Sequence, residues 1–207
     1  GNEDTEKAVA RALDWFTRHQ EKDGRWSMKR HGGQNNHDFA ATSFAVLCYF
    51  GWGIKHNEPG KYQKPVQKAI KWLVGDMGKN GDFTNGQHNG MYDQGVATMA
   101  LAEAYGLTKD PDLRDPLERA VRFIIEAQNQ NHGAWDYRPK SNRIDTSVSG
   151  WQIMALRSAR MAGITARVMA MAPSTLVSKS SRACAIVAPS STFSMPTPAL
   201  FTSASIC

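Results

Sequence analysis

Gln20-Glu21-Lys22-Asp23-Gly24-Arg25-Trp26 has two counterparts further along the chain, Asn80-Gly81-Asp82-Phe83 and Gln128-Asn129-Gln130-Asn131-His132-Gly133-Ala134-Trp135. Each ends a segment that begins with an Ala and carries an aromatic three residues later: Ala12 and Trp15, Ala69 and Trp72, Ala120 and Phe123. From that Ala to the closing aromatic is 14, 14 and 15 residues. An Asp follows each closing aromatic after 12, 10 and 10 residues, at Asp38, Asp93 and Asp145, and opens a stretch of small and apolar side chains. With Gly24, Gly81 and Gly133 spaced by 57 and 52 residues, the chain reads as three repeats, about 5–53, 64–107 and 115–163.

Within each repeat two kinds of helix are expected. The first carries apolar residues at helical spacing, Val9, Leu13 and Phe16, then Val66, Ile70, Leu73 and Met77, then Leu117, Val121 and Ile124, with charged residues on the opposite side. Such a helix buries one face. Asp115-Pro116 reads as an N-cap followed by a first-turn proline, and Pro65 plays the same part after Lys64. Gly24, Gly81 and Gly133 read as left-handed residues that end these helices. The second helix, from Asp38, Asp93 or Asp145, is apolar nearly all round in its first two copies and is expected to be buried nearly all round. Alternating the two kinds gives an inner row of helices sheathed by an outer row, an all-α array in which no repeat covers its inner helix alone.

At these residues the chain resembles the terpenoid cyclase and protein prenyltransferase superfamily, whose prenyltransferase/squalene oxidase repeat carries a Q-x-x-D/N-G-x-W element between outer and inner helix. The match spans about residues 5–163. Its first copy is Gln20, Asp23, Gly24 and Trp26; its third, Gln128, Asn131, Gly133 and Trp135, has one extra residue; its second, Asn80, Gly81 and Phe83, has Met77 in place of Gln. The resemblance implies an (α/α) toroid, with the three hairpins forming a partial ring. It also implies where chemistry would sit. In squalene-type cyclases a DxDD cluster at the mouth of an inner helix protonates an alkene, and in prenyltransferases an Asp and a Cys two positions on, with a later His, hold zinc. The lumen-facing candidates that the resemblance implies here are Asp38, Asp93 and Asp145, each with a single carboxylate, and the second positions are Ala40, Gly95 and Ser147. Neither signature is present, so these aspartates read first as helix caps, and whether the protein is an enzyme stays open.

His31, His37, His88 and His132 fall in the turns; a metal or anion site between repeats is conceivable from them, but none has ligand spacing on a helix, so no metal and no cofactor is expected. Three cysteines, Cys48, Cys184 and Cys207, form no CxxC pair, and Cys48 reads as a buried small hydrophobe. Phosphate-cradling, dinucleotide, nucleophile-elbow and zinc-protease motifs are lacking.

Composition limits the partners. The 207 residues carry a net charge of +6, which invites a nucleic-acid reading. Half of that charge sits in a tail from Thr165 to Cys207 that contains Arg167, Lys179 and Arg182, no acid, no Gly and no Trp. In the repeats, bases and acids alternate on the outer helices, so no nucleic-acid interface is expected. The composition break near Ile164 divides a repeat domain, 1–164, from a Ser/Ala/Pro/Thr-rich tail, 165–207, expected to be disordered, to pair with a partner, or to be foreign to the fold. No stretch is long and apolar enough for a transmembrane helix, and nothing indicates a compartment.

The function expected is a binding or interaction module whose apolar concave surface takes a protein partner or a lipophilic small molecule. The alternative is part of an isoprenoid-processing enzyme whose catalytic residues lie in other repeats; a polysaccharide-acting toroid enzyme is a weaker third. Open ring ends would favour self-association.

Overall fold

A computed structural model describes residues 2–164; the tail from Thr165, with Cys184 and Cys207, lies outside the described residues. Among the described residues the protein is all-helical. Its six α-helices are α1 (Glu3–His19), α2 (Asp38–Gly51), α3 (Gln63–Asp76), α4 (Gly90–Thr108), α5 (Arg114–Glu126) and α6 (Thr146–Ala162), with short 3-10 turns at Lys29–His31 and Pro111–Leu113. No helix among the described residues is long and apolar enough to cross a membrane.

The odd-numbered helices are amphipathic for the reason their spacing suggests. Leu13 of α1, Val66, Ile70 and Leu73 of α3, and Leu117, Val121 and Ile124 of α5 are buried, while Val9, on the first turns of the chain, is exposed. Helix α1 starts with a capping box: the Asn2 side chain accepts from Thr5 N and the Thr5 hydroxyl donates back to Asn2 O. Helix α5 departs from the expected cap. Asp115 lies inside its first turn, and it is Asp110, four residues before the start of α5, that caps the preceding 3-10 turn by accepting from Asp112 N.

Helix α4 packs against both α2 and α6, α1 and α3 pack on α2, and α5 packs on α4 and α6. Helix α4 is the most deeply covered of the three second helices, with Met91, Val96, Ala97, Ala100, Leu101 and Ala104 all inaccessible. The expectation of all-round burial, made for the first two copies, fails for α2, which among the described residues has one neighbour in its row where α4 has two. Phe44 and Cys48 of α2 are exposed, as are Ile153, Met154 and Met161 of α6. Cys48 is therefore not a core residue: it stands one helical turn from Phe44 on the side that α1, α3 and α4 leave bare.

The three motif turns share one backbone pattern. Glu21 N donates to Arg25 O and Gly24 N to Glu21 O; Gly78 N donates to Asp82 O and Gly81 N to Gly78 O. In the third turn Asn129 N donates to Ala134 O and Gly133 N to Asn129 O, so the extra residue widens the loop without changing its closure. Gly24, Gly81 and Gly133 have φ of +107°, +90° and +67°. They do not end the preceding helices, whose C-caps are Gln20, Met77 and Ala127. Gly24 and Gly81 serve instead as close contacts. A Cβ on Gly24 would fall 2.5 Å from the Lys68 carbonyl oxygen of α3, and one on Gly81 2.3 Å from the Arg119 carbonyl oxygen of α5.

The motif glutamines complete this joint. Gln20 Nε2 donates at 2.8 Å to Gly24 O in its own turn and at 2.8 Å to Pro65 O of α3. Gln128 Nε2 donates to Gly133 O at 2.7 Å. The second turn has Met77 at that position, and Gln94 of α4 takes over: its Nε2 donates to Gly81 O at 3.0 Å and to Ala120 O of α5 at 3.3 Å. Its Oε1 also accepts from Phe83 N at 2.7 Å, in a fully buried setting. Trp26, Phe83 and Trp135 are buried; both indoles donate to the preceding helix, to Phe16 O at 2.9 Å and to Ile124 O at 2.7 Å.

Candidate functional site

The three aspartates that open the second helices have three different roles. Asp145 is the N-cap of α6, its Oδ1 accepting from Val148 N at 2.9 Å and from the Ser147 hydroxyl at 2.6 Å. Asp93 lies in the first turn of α4 and reaches away from its own helix: Oδ1 accepts from Ala40 N of α2 at 2.9 Å and Oδ2 lies 2.5 Å from His37 Nδ1. It thus caps the neighbouring helix, whose own N-cap residue, His37, offers no side-chain bond to its backbone. Burial pushes the Asp93 carboxyl above the usual carboxylate range, partly countered by His37 and Ala40 N. Asp38 is the first residue of α2 and braces the turn before it, with Oδ1 accepting from Met28 N at 3.0 Å and Oδ2 at 3.5 Å from Arg25 Nε. Beside it is a small polar cleft of about 90 Å³, lined also by Arg25, Phe39 and Trp72.

The turn histidines do not converge. His37 is engaged with Asp93, and His88 Nδ1 lies 2.6 Å from Asn89 Oδ1. His31 packs near Trp15 and His19 at ring separations of 5.6 and 5.5 Å. No group of three or more potential metal ligands occurs among the described residues. A further histidine, His56, is buried after α2, and its Nε2 lies 2.8 Å from Asp110 Oδ2 after α4. The α2 and α4 pair is therefore held by a His–Asp contact at each end.

What the fold gathers on one face is apolar. The Phe44 ring of α2 meets the Trp151 ring of α6 edge-on, centroids 5.4 Å apart, although α4 lies between those helices. The two rings join α2 and α6 by a side-chain contact that reaches across α4. Phe44 stays 44% exposed and Met154, one turn beyond Trp151, 42% exposed; Cys48 completes the stripe on α2. Met99 of α4 is half-buried and packs against the cluster that includes Val148 and Ala155 of α6. Gly95 lets α6 come close: a Cβ there would lie 2.8 Å from Gln152 Nε2 and 2.9 Å from Trp151 Cβ.

One end of this face is polar. Tyr92 Oη and the Ser147 hydroxyl are 2.6 Å apart, Ser147 donates to Asp145, and Tyr137 Oη donates to Asp145 Oδ2 at 3.4 Å. At the other end the Ser158 hydroxyl donates to Glu103 Oε1 at 2.9 Å. Phe44, Met99 and Trp151 were not among the residues singled out in the sequence, yet a signal existed: each follows its repeat's Asp by six residues. No protein-family model, curated protein or solved structure matches the chain.

Proposed function

We propose that the protein is a non-catalytic binding module of terpenoid cyclase and prenyltransferase type repeats, with α2, α4 and α6 as consecutive inner helices of an α/α toroid. Its concave face takes up a lipophilic small molecule. The observation that carries this reading is the Phe44–Trp151 contact, which joins two inner helices in an apolar patch while leaving Phe44 and Met154 open to a ligand. Aromatic and Met side chains on one face, with polar groups confined to its ends, match what small apolar ligands require.

The carboxylates support a binding role over catalysis. Asp38 and Asp145 each accept a backbone N–H, which favours the ionised form and makes a poor proton donor, and Asp93, though its pKa is raised, is fully buried against His37 and Ala40 N, out of reach of a ligand. The recurrent Gly-centred joint, repeated at Gly24 and Gly81 against the next outer helix, supports a repeat array in which hairpins dock in series.

The test is binding of decan-1-ol, followed by calorimetry or Trp fluorescence, to the wild type and to Phe44→Ser and Trp151→Ser. Saturable binding that weakens about tenfold or more in both variants is expected from the lost apolar contact. Equal binding by all three proteins, or none by any, would overturn the reading.

A further inference from the structure

We infer that the polar mouth at Tyr92, Tyr137 and Asp145 receives the cationic head group of an amphiphile whose alkyl chain lies over Phe44, Met99 and Trp151. The inference rests on the lipophilic-ligand reading above and adds the charge of the ligand. An alkylammonium is the chemistry it fits.

The mouth and the apolar patch are continuous along two helices. Ser147, Trp151 and Met154 follow one another at helical spacing on α6, and from Ser147 to Met154 the axis advances about 10 Å. Tyr92 and Met99 stand two turns apart on α4. A ligand head held beside Tyr92 and Ser147 therefore has an apolar strip of that length ahead of it.

The mouth has the features that hold an organic cation. The Tyr92 and Tyr137 rings are 5.8 Å apart and inclined at 36°, and the His88 ring is 6.4 Å from Tyr137. Aromatic faces within about 6 Å attract ammonium groups, most strongly where water is partly excluded. Asp145 supplies the charge. Its Oδ1 is engaged by Ser147 and Val148, whereas Oδ2 has only the long contact from Tyr137. The Ser147 hydroxyl, then the Val148 N–H, hold this carboxyl below its ordinary value, so it is anionic at neutral pH.

That charge is not neutralised from within. No Lys or Arg forms an ion pair with Asp145 among the described residues, whose pairs involve other acids. The Tyr137 hydroxyl has its ionisation suppressed first by Asp145, then by Tyr92, with Asp136 adding to the same effect, which marks the spot as a negative field. The N-terminus of α6 opposes a cation with about half a unit charge, less than the carboxylate that caps it.

The experiment compares decyltrimethylammonium with decan-1-ol, both as monomers, on the wild type, Asp145→Asn and Tyr137→Leu. Asn caps a helix as well as Asp, so D145N leaves α6 formed. The wild type should bind the ammonium about tenfold more tightly than the alcohol, and both variants should lose that preference while still binding the alcohol. The net charge of +6 repels cations at long range, so bulk attraction cannot produce the preference. If the alcohol binds and the wild type shows no preference, or D145N retains it, the inference falls and the lipophilic reading stands. If neither compound binds, both fall.

Discussion

Gly81 touches Arg119 backbone to backbone: a methyl group on the glycine would sit 2.3 Å from the Arg119 carbonyl oxygen, at a residue whose φ is already +90°. Gly81→Ala must therefore strain the turn and push α5 away at once, and is expected to cost about 3 kcal/mol or more. Gly86 is the control. It has φ of +67° and open space where a Cβ would go, so Gly86→Ala should cost only about 1 kcal/mol. Urea unfolding of the two variants separates clash from backbone strain; equal losses would refute the close contact.

Gln94 carries two backbone carbonyls and one backbone N–H that no other side chain serves in the second turn. Gln94→Leu should destabilise by about 3 kcal/mol, because Phe83 N and Gly81 O lose their side-chain partner in a buried setting, while Ala120 O keeps its intrahelical bond. Adding Met77→Gln restores the residue found at the corresponding place in the other turns, and should recover part of the loss. Thermal unfolding of the single and double variants checks this. A double variant no more stable than Q94L would show that position 77 cannot serve the joint.

Acid should weaken the α2–α4 clamp at its far end. The hydrogen bond with His56 is the main cause holding the Asp110 carboxyl below its usual value of 3.8. A depressed carboxylate stabilises the fold above its unfolded pKa and loses that contribution as pH falls through the folded value. Asp93, pushed up by burial, acts with the opposite sign, favouring the fold below its unfolded value and losing that advantage as pH rises through the raised one. Total acid stability thus mixes both. The difference between wild type and Asp110→Asn isolates the clamp: it should be largest near neutral pH and shrink below about pH 4. Urea midpoints at several pH values give the readout, and a constant difference would count against it.

Cys48, exposed one helical turn from Phe44, should react with a thiol reagent in the folded protein when Cys184 and Cys207 are replaced by Ser. Burial of its surroundings raises its pKa, so the reaction should be slow near neutral pH and accelerate at higher pH. Decan-1-ol should slow it by covering the Phe44–Cys48 stripe. Labelling rates with and without the alcohol decide the matter.

Helix positions and the hairpin turns were legible in the chain because both depend on short-range patterns, apolar spacing in one case and a Gly two residues before an aromatic in the other. The joints were not. The partner of Gly81 lies on α5, and the role of Met77 passes to Gln94 through space, across a turn that periodicity does not describe. Asp93 reads as a cap of its own helix, but the N–H it accepts from is that of Ala40 on another helix. Likewise the uniform apolarity of α2 gave no hint that Phe44 and Cys48 would stay uncovered, since an all-round apolar helix names no preferred face.

The joints between hairpins are written almost wholly in main-chain atoms. Gln20 and Gln94 reach carbonyl groups of Pro65 and Ala120, and Gly24 and Gly81 rest on the carbonyls of Lys68 and Arg119. Every helix offers such carbonyls whatever its side chains, so an outer helix can change nearly all of its solvent-facing residues and still be received by the turn before it. Sequence drift along the outer row then leaves the assembly intact, while a single methyl group added to the turn glycine breaks it.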